Sequence, residues 1–596
     1  MRRFRSGFVA LLLASGLFSP ARGQDPFIHQ GCLTLTYPLD VDTVSFSRIR
    51  LAGNISDSGR VWINGKEVRV YPSRAFVGLV PLRPGDNVIE IVGQTASARD
   101  TLRLPVYRIP PKPELPEIPT VITGDFVSPS TDLIFYRPAP LYLRFRGSPG
   151  GKAEARISGL DKHIPMSEAP PEQGMGMRGV YEAVYQLPAR KKIVRKRIEF
   201  RLRGKDGRTR KFKTRARITL LPLVTDVVAR TVEEENFVYT RPGGTLLFTL
   251  PADIRLVVVA DLGHFYRVRL DRTLDAFMRK TQLEILPPGT LPATARIGGV
   301  RIWPDRQWIN VDLTISDRCP FRVEQELNPN RLVLTVFGAA QTSEWMTYPH
   351  PNPWIRLARW RQVATDRYQF IVELNQDHWG YKVRYLNKML RLSIRKEPVL
   401  GENPFKGVVI AVDAGHGGDQ LGAVGATGLM EKDVNLRYAT YLRDLLLQAG
   451  ATAFLTRNKD TTMTLQDRIR IAEERGAHIF VWCHNNSIGL RSDPLAVKGT
   501  STYYTRPMGK RLAELTLPHL LKLGLPNFGE IEALFTVTRQ TSMIAFLVEG
   551  AFLSNPEEEM LLMDDAFLHR LARAAFLGIR DFLQEEKQRQ TQRKER

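Results

Sequence analysis

A chain of 596 residues that is 43% apolar and 25% charged is a folded protein of several domains, about four by length, which excludes a single hydrophobic core and excludes intrinsic disorder. Its net charge of +23 is uneven: residues 401–585 hold 19 Lys or Arg against 22 Asp or Glu, so the excess sits on residues 1–400 and points to an anionic polymer or membrane surface. Three widely spaced cysteines, Cys32, Cys319 and Cys483, exclude a disulfide framework, and buried free thiols are expected rather than a Cys32–Cys319 bridge.

Residues 1–23 read as a signal peptide. Met1-Arg2-Arg3-Phe4-Arg5 is a positive start, residues 7–18 are apolar, and Ala21-Arg22-Gly23 places small residues before a cleavage point. The apolar run is shorter than the ~20 residues that span a bilayer, so no transmembrane span is expected after cleavage. Export to the periplasm, or to the cell wall, follows. It also argues against nucleic acid as the anionic partner.

Residues 24–108 alternate apolar and polar positions, with Asn64-Gly65 and Pro84-Gly85-Asp86-Asn87 between the runs, a hairpin pattern. This stretch resembles the immunoglobulin-like modules of exported bacterial proteins. A Pro-rich linker at 109–121 follows. Residues 122–222 form a second turn-punctuated β module of no recognised family. Residues 223–290, with VYTRPGG and FYRVRLD, resemble a bacterial SH3-type barrel, and residues 295–400, with WINVDLTI, NRLVLTVFG and YQFIVELN, resemble an AMIN-type β module. These basic β modules are expected either to space the chain or to contact wall or division proteins.

From about residue 405 the pattern changes. Short apolar runs at 408–412, 451–455, 479–483, 500–504 and 545–548 alternate with helical stretches at 435–448, 465–474 and 510–523 and a long one at 556–585. The fold class expected is therefore multidomain: several small all-β modules, then one α/β domain over 401–585 with a mostly parallel central sheet, and a charged tail at 586–596.

In such sheets sites form beyond the carboxyl ends of strands. His416 follows the first strand in Asp413-Ala414-Gly415-His416-Gly417-Gly418, His484 ends the third, Glu549 ends the last, and Glu431 stands where a loop enters the first helix. Two imidazoles and a carboxylate with an open position are the usual ligands of catalytic zinc, and a second carboxylate then serves as general base. Spacing alone leaves open which of Glu431 and Glu549 binds metal. Asp413 either orients the turn carrying His416 or caps it.

VVIAVDAGHGGDQLGAVGATGLMEKDVNL, TRNKDTTMTLQDRIRIAEERGAHIFVWCHNNS and FLVEGAFLSNPEE resemble, in order and interval, the three motifs of the family 3 N-acetylmuramoyl-L-alanine amidases over residues 406–583. The resemblance implies that His416, Glu431 and His484 bind Zn²⁺ and that Glu549 is catalytic. It implies peptidoglycan as substrate, cut at the amide joining N-acetylmuramic acid to L-Ala, for wall remodelling or daughter-cell separation. The competing readings are a non-catalytic wall-binding protein with a degenerate amidase domain and a zinc endopeptidase on stem peptides. The sequence departs from the family at Cys483, expected to face the core, at Glu473, at Asn527-Phe528-Gly529 and at Ile544, all of which bear on the cleft wall. Relatives that need an activator carry an inhibitory helix between His484 and Glu549; the short interval here implies basal activity without one.

Overall fold

The computed structural model describes residues 26–39, 42–173, 176–221, 226–348 and 352–595, so the expected signal peptide lies outside the described residues. The chain is mostly β, with several sheets and few helices. Residues 26–108 form a four-stranded and a five-stranded sheet packed over one core that includes Leu35, Leu51, Val61 and Ile91. The Asn64-Gly65 turn that separates two of its strands has positive φ at both residues, as a tight hairpin requires.

The next two expected modules share a backbone ladder. Strand Leu133–Phe135 pairs with Thr209–Leu220 on one side and with Arg255–Asp261 on the other. Residues 295–395 then form two further sheets over a core that includes Val311, Leu334 and Tyr368.

The C-terminal unit has six strands: β1 (Val409–Ala414), β2 (Thr452–Leu455), β3 (Ile479–Asn486), β4 (Thr500–Tyr504), β5 (Asn527–Glu532) and β6 (Ile544–Phe552). They lie in the order β2-β1-β3-β6-β4-β5. Contacts β2–β1, β1–β3, β3–β6 and β4–β5 are parallel, and β6–β4 is antiparallel. The helices are α1 (Glu431–Gln448), α2 (Leu465–Glu474), α3 (Pro507–Leu521), α4 (Pro556–Met563) and α5 (Asp565–Glu595).

Strand alternation sorts the side chains. Val481, Cys483, Phe546 and Val548 enter the core built with Tyr438, Leu442, Leu512 and Leu571 of α1, α3 and α5. Phe480, Trp482, Ala545 and Leu547 enter the opposite core, against Ala472 of α2. Cys483 thus faces away from His484. All three cysteines are free and buried.

Several boundaries differ from the sequence reading. β3 and β6 run on past residues 483 and 548, so His484 and Glu549 stand within strands, not beyond them. The long helix is broken at Asp564, whose carboxylate accepts from Ala566 N and Phe567 N and caps α5. Finally, residues 586–595, expected as a charged tail, continue the helix: Gln590 accepts from Leu400 N and donates to Pro398 O, and Arg593 pairs with Glu397.

Candidate metal centre

β3 and β6 lie in parallel register with His484 beside Glu549, so both side chains leave the sheet on one face. β1 ends at Ala414, and the chain turns sharply at Gly415-His416. His416 has φ +61°, a left-handed conformation unusual for a side chain with a Cβ. Two buried arginines hold that turn. Arg457 donates to Ala414 O (2.9 Å) and Gly415 O (3.1 Å). Arg468 donates to Ala414 O (2.7 Å), to His416 O (2.7 Å) and to Asp413 Oδ1 (2.9 Å). Asp413, buried and also accepting from Thr456 Oγ1, therefore reaches the His416 turn through Arg468.

Glu431 is the first residue of α1, and buried. Its Oε1 accepts from His484 Nδ1 (2.8 Å), Asn435 Nδ2 (3.2 Å) and Asn485 N (3.2 Å). Its Oε2 accepts from Ala423 N (2.8 Å) and lies 3.2 Å from His416 Nε2, without hydrogen-bond alignment. One ligand atom from each of His416, Glu431 and His484 falls within 4.8 Å of the others, the candidate metal-holding group among the described residues. The two imidazoles meet at 4.8 Å between centroids, edge to face. Two glycines make this approach possible: a Cβ on Gly415 would lie 2.0 Å from His484 Nε2, and one on Gly422 would lie 2.6 Å from Glu431 Oε2.

Glu549 is 5% exposed, and its Oε2 is buried without a hydrogen-bond partner among the described residues, as are His416 Nε2 and His484 Nε2. Buried polar atoms left unpaired cost about 1–3 kcal/mol each, so the two unpaired imidazole nitrogens beside the Glu431 carboxylate fit a bound cation. Burial would raise the Glu431 carboxyl, but the imidazoles of His416 and His484 outweigh it and hold it well below the ordinary carboxylate range. Glu549 moves the other way: burial first, and the charge of Glu431 second, push it well above that range. Burial also lowers His484, which favours the neutral ring that a metal ligand needs.

Of the four residues singled out from the sequence, His416, Glu431 and His484 converge, and Glu549 stands beside His484 on the neighbouring strand. Sequence reading missed Arg457 and Arg468, although both lie in the second quoted motif. It also missed the grip on the loop leading to Glu431. Glu559 of α4 accepts from Ala426 N (3.0 Å), Thr427 N (2.8 Å) and Thr427 Oγ1 (2.6 Å). From the other side, Thr36 Oγ1 donates to Gly425 O (2.9 Å) and Asn54 Nδ2 to Ala426 O (3.2 Å). Arg50 N donates to Leu490 O (2.6 Å), and the Leu490 side chain packs on the core of the first module. No local sequence signal marks residues 36 and 54 as neighbours of 425 and 426.

Residues 410–581 match a family model described as N-acetylmuramoyl-L-alanine amidase. N-acetylmuramoyl-L-alanine amidase LytC of Bacillus subtilis is 35% identical over 30% of this chain, which spans 36% of that relative's length. N-acetylmuramoyl-L-alanine amidase AmiA of Escherichia coli is 30% identical over 29% of this chain and 74% of its own. N-acetylmuramoyl-L-alanine amidase AmiC of E. coli is 25% identical, over 49% of this chain and 91% of its own. With its motifs, its convergent His-Glu-His group and these relatives in agreement, the chain belongs to the N-acetylmuramoyl-L-alanine amidase family.

Proposed function

We propose that this chain hydrolyses the amide between N-acetylmuramic acid and L-Ala in peptidoglycan, with His416, Glu431 and His484 as ligands of Zn²⁺ and Glu549 as the acid–base residue. The convergence of three donor atoms within 4.8 Å, beside a second buried carboxyl, carries the reading. When bound, Zn²⁺ supplies a Lewis acid that polarises the scissile carbonyl. The opposite displacement of the two carboxyls supports the division of roles. Glu431, held ionised by two imidazoles, is suited to a cation. Glu549, which takes up a proton readily, accepts one from the attacking water and returns it to the leaving amine of L-Ala. Their joint burial keeps bulk water out of the proton transfer.

The β units of residues 24–108, 223–290 and 295–400 are read as immunoglobulin-like, SH3-like and AMIN-like modules, and the enzyme as exported to the periplasm. No helix among the described residues is long and apolar enough to cross a membrane. Turnover is expected without an activator. Mass spectrometry of fragments released from purified wall, with and without a chelator, tests the reading. The expected products are free N-terminal L-Ala on the peptide and intact glycan, only without chelator. Peptide–peptide cleavage would instead identify an endopeptidase, and no release at all a binding protein.

A further inference from the structure

The second β module carries a concentration of positive charge that the chemistry at the metal centre does not use. Residues 190–217 hold fifteen Lys or Arg against two carboxylates, Glu199 and Asp206. Strands Lys152–Ile157, Ile193–Arg203 and Thr209–Leu220 are neighbours in one antiparallel sheet. Their inward residues, among them Ile198, Phe200 and Leu202, are buried, so the alternating set faces out.

On that outward face cations stand directly opposite cations: Lys152 beside Arg203, Arg201 beside Lys211, and Arg197 beside Arg217. Cross-strand partners have their Cβ atoms about 4.5–5.5 Å apart, and like charges so placed destabilise a sheet. Glu154, opposite Arg201, and Glu199 already relieve the middle row; folding stability alone disfavours the Lys152–Arg203 and Arg197–Arg217 rows, and an anion seated between their members relieves each. The face shows the same chemistry internally, where Glu199 takes Arg201 at 2.5 Å and has Lys213 at 3.7 Å.

We infer that this sheet face is a docking surface for the carboxylate-bearing peptide arms of the wall polymer, a holdfast separate from the metal centre. The inference rests on the substrate reading above. Val194 is the one large apolar side chain exposed on the three strands, too little to seat the face in a lipid layer. Guanidinium forks and ammonium groups in rows fit carboxylates of a peptide, whose arms recur along the polymer. Holding the polymer at a second point raises the effective concentration of its amides at the metal centre without a new contact there.

The test uses the full-length chain carrying Arg197→Gln, Lys211→Gln and Lys213→Gln together. All three positions are exposed, and removing like charges leaves the fold intact. Cosedimentation with purified wall, in chelator to prevent cleavage, is compared at low and moderate salt. The expected result is about tenfold weaker binding by the variant, a shallower salt dependence, and unchanged turnover of a soluble N-acetylmuramoyl peptide. Equal wall binding by variant and wild type overturns the inference. So does a loss confined to phosphatidylglycerol vesicles, which would make the ligand a lipid headgroup. If neither protein cleaves the soluble peptide, the catalytic reading fails, while the binding comparison still decides this one.

Discussion

At the scale of single residues, the centre depends on two carboxyls driven apart by their surroundings. Glu431 is matched to two imidazoles and three further donors, whereas Glu549 has a buried oxygen with none. Glu549→Gln keeps the shape of the side chain and removes its proton transfer. The variant is expected to retain zinc and to lose about 10²–10⁴-fold in turnover, measured by dye release from labelled wall beside metal analysis. Full activity in it would remove Glu549 from the mechanism. These residues were legible in the sequence because each stands where an apolar run gives way to polar residues or where a helix starts, so that the 2- and 3.6-residue periods break. Arg457 and Arg468 were not, because a buried arginine looks in sequence like any charged helix or loop residue. Its role appears only when the carbonyls of the Gly415-His416 turn are found to take most of their donors from these two side chains, Asn435 Nδ2 adding one at Gly415 O.

At the scale of elements, alternation predicted the strands well and their ends poorly. The sequence reading stops β3 and β6 at their first polar residues, but the ladder continues through His484 and Glu549 because neighbouring strands satisfy the backbone there. The break at Asp564 was missed since apolar spacing continues across it, and only the carboxylate cap restarts the helix. One histidine at a strand start sets a pH response. His478 accepts from Val409 N at 2.9 Å, and burial first, then Arg395, lowers it from 6.5 to about 3. The folded protein therefore stays deprotonated at His478 while the unfolded chain takes up a proton below about pH 6.5. Stability from this group is complete above pH 6.5 and falls with acidification towards pH 3, by about 2 kcal/mol between pH 6.5 and 5. His478→Asn keeps an acceptor without the titration, so its urea midpoint should fall less over that interval. Parallel pH profiles for the two proteins would contradict the assignment.

At the scale of the whole molecule, the first module is part of the catalytic unit's support, a relation across 389 residues of sequence separation that no local pattern encodes. The loop before Glu431 has its N–H groups taken by Glu559 and its carbonyls by Thr36 and Asn54. The β unit of residues 295–395 is anchored as well. Arg395 donates to Gly476 O at 2.7 Å, and Lys382 pairs with Glu473 at 3.2 Å, which gives that family departure a local partner. Thr36→Val removes the donor to Gly425 O and leaves that carbonyl short, at about 1–3 kcal/mol. It is expected to weaken zinc binding about tenfold, with Thr36→Ser restoring it; competition with a chromogenic chelator reads the affinity. Unchanged zinc affinity in the valine variant would reduce the first module to a passenger.

The most direct test of the metal centre is zinc content by inductively coupled plasma mass spectrometry, on folded wild-type protein and on His416→Ala. About one zinc per wild-type chain, and none in the variant together with loss of wall hydrolysis, is the predicted result. Equal zinc in both proteins, or hydrolysis that survives complete removal of metal, would contradict it.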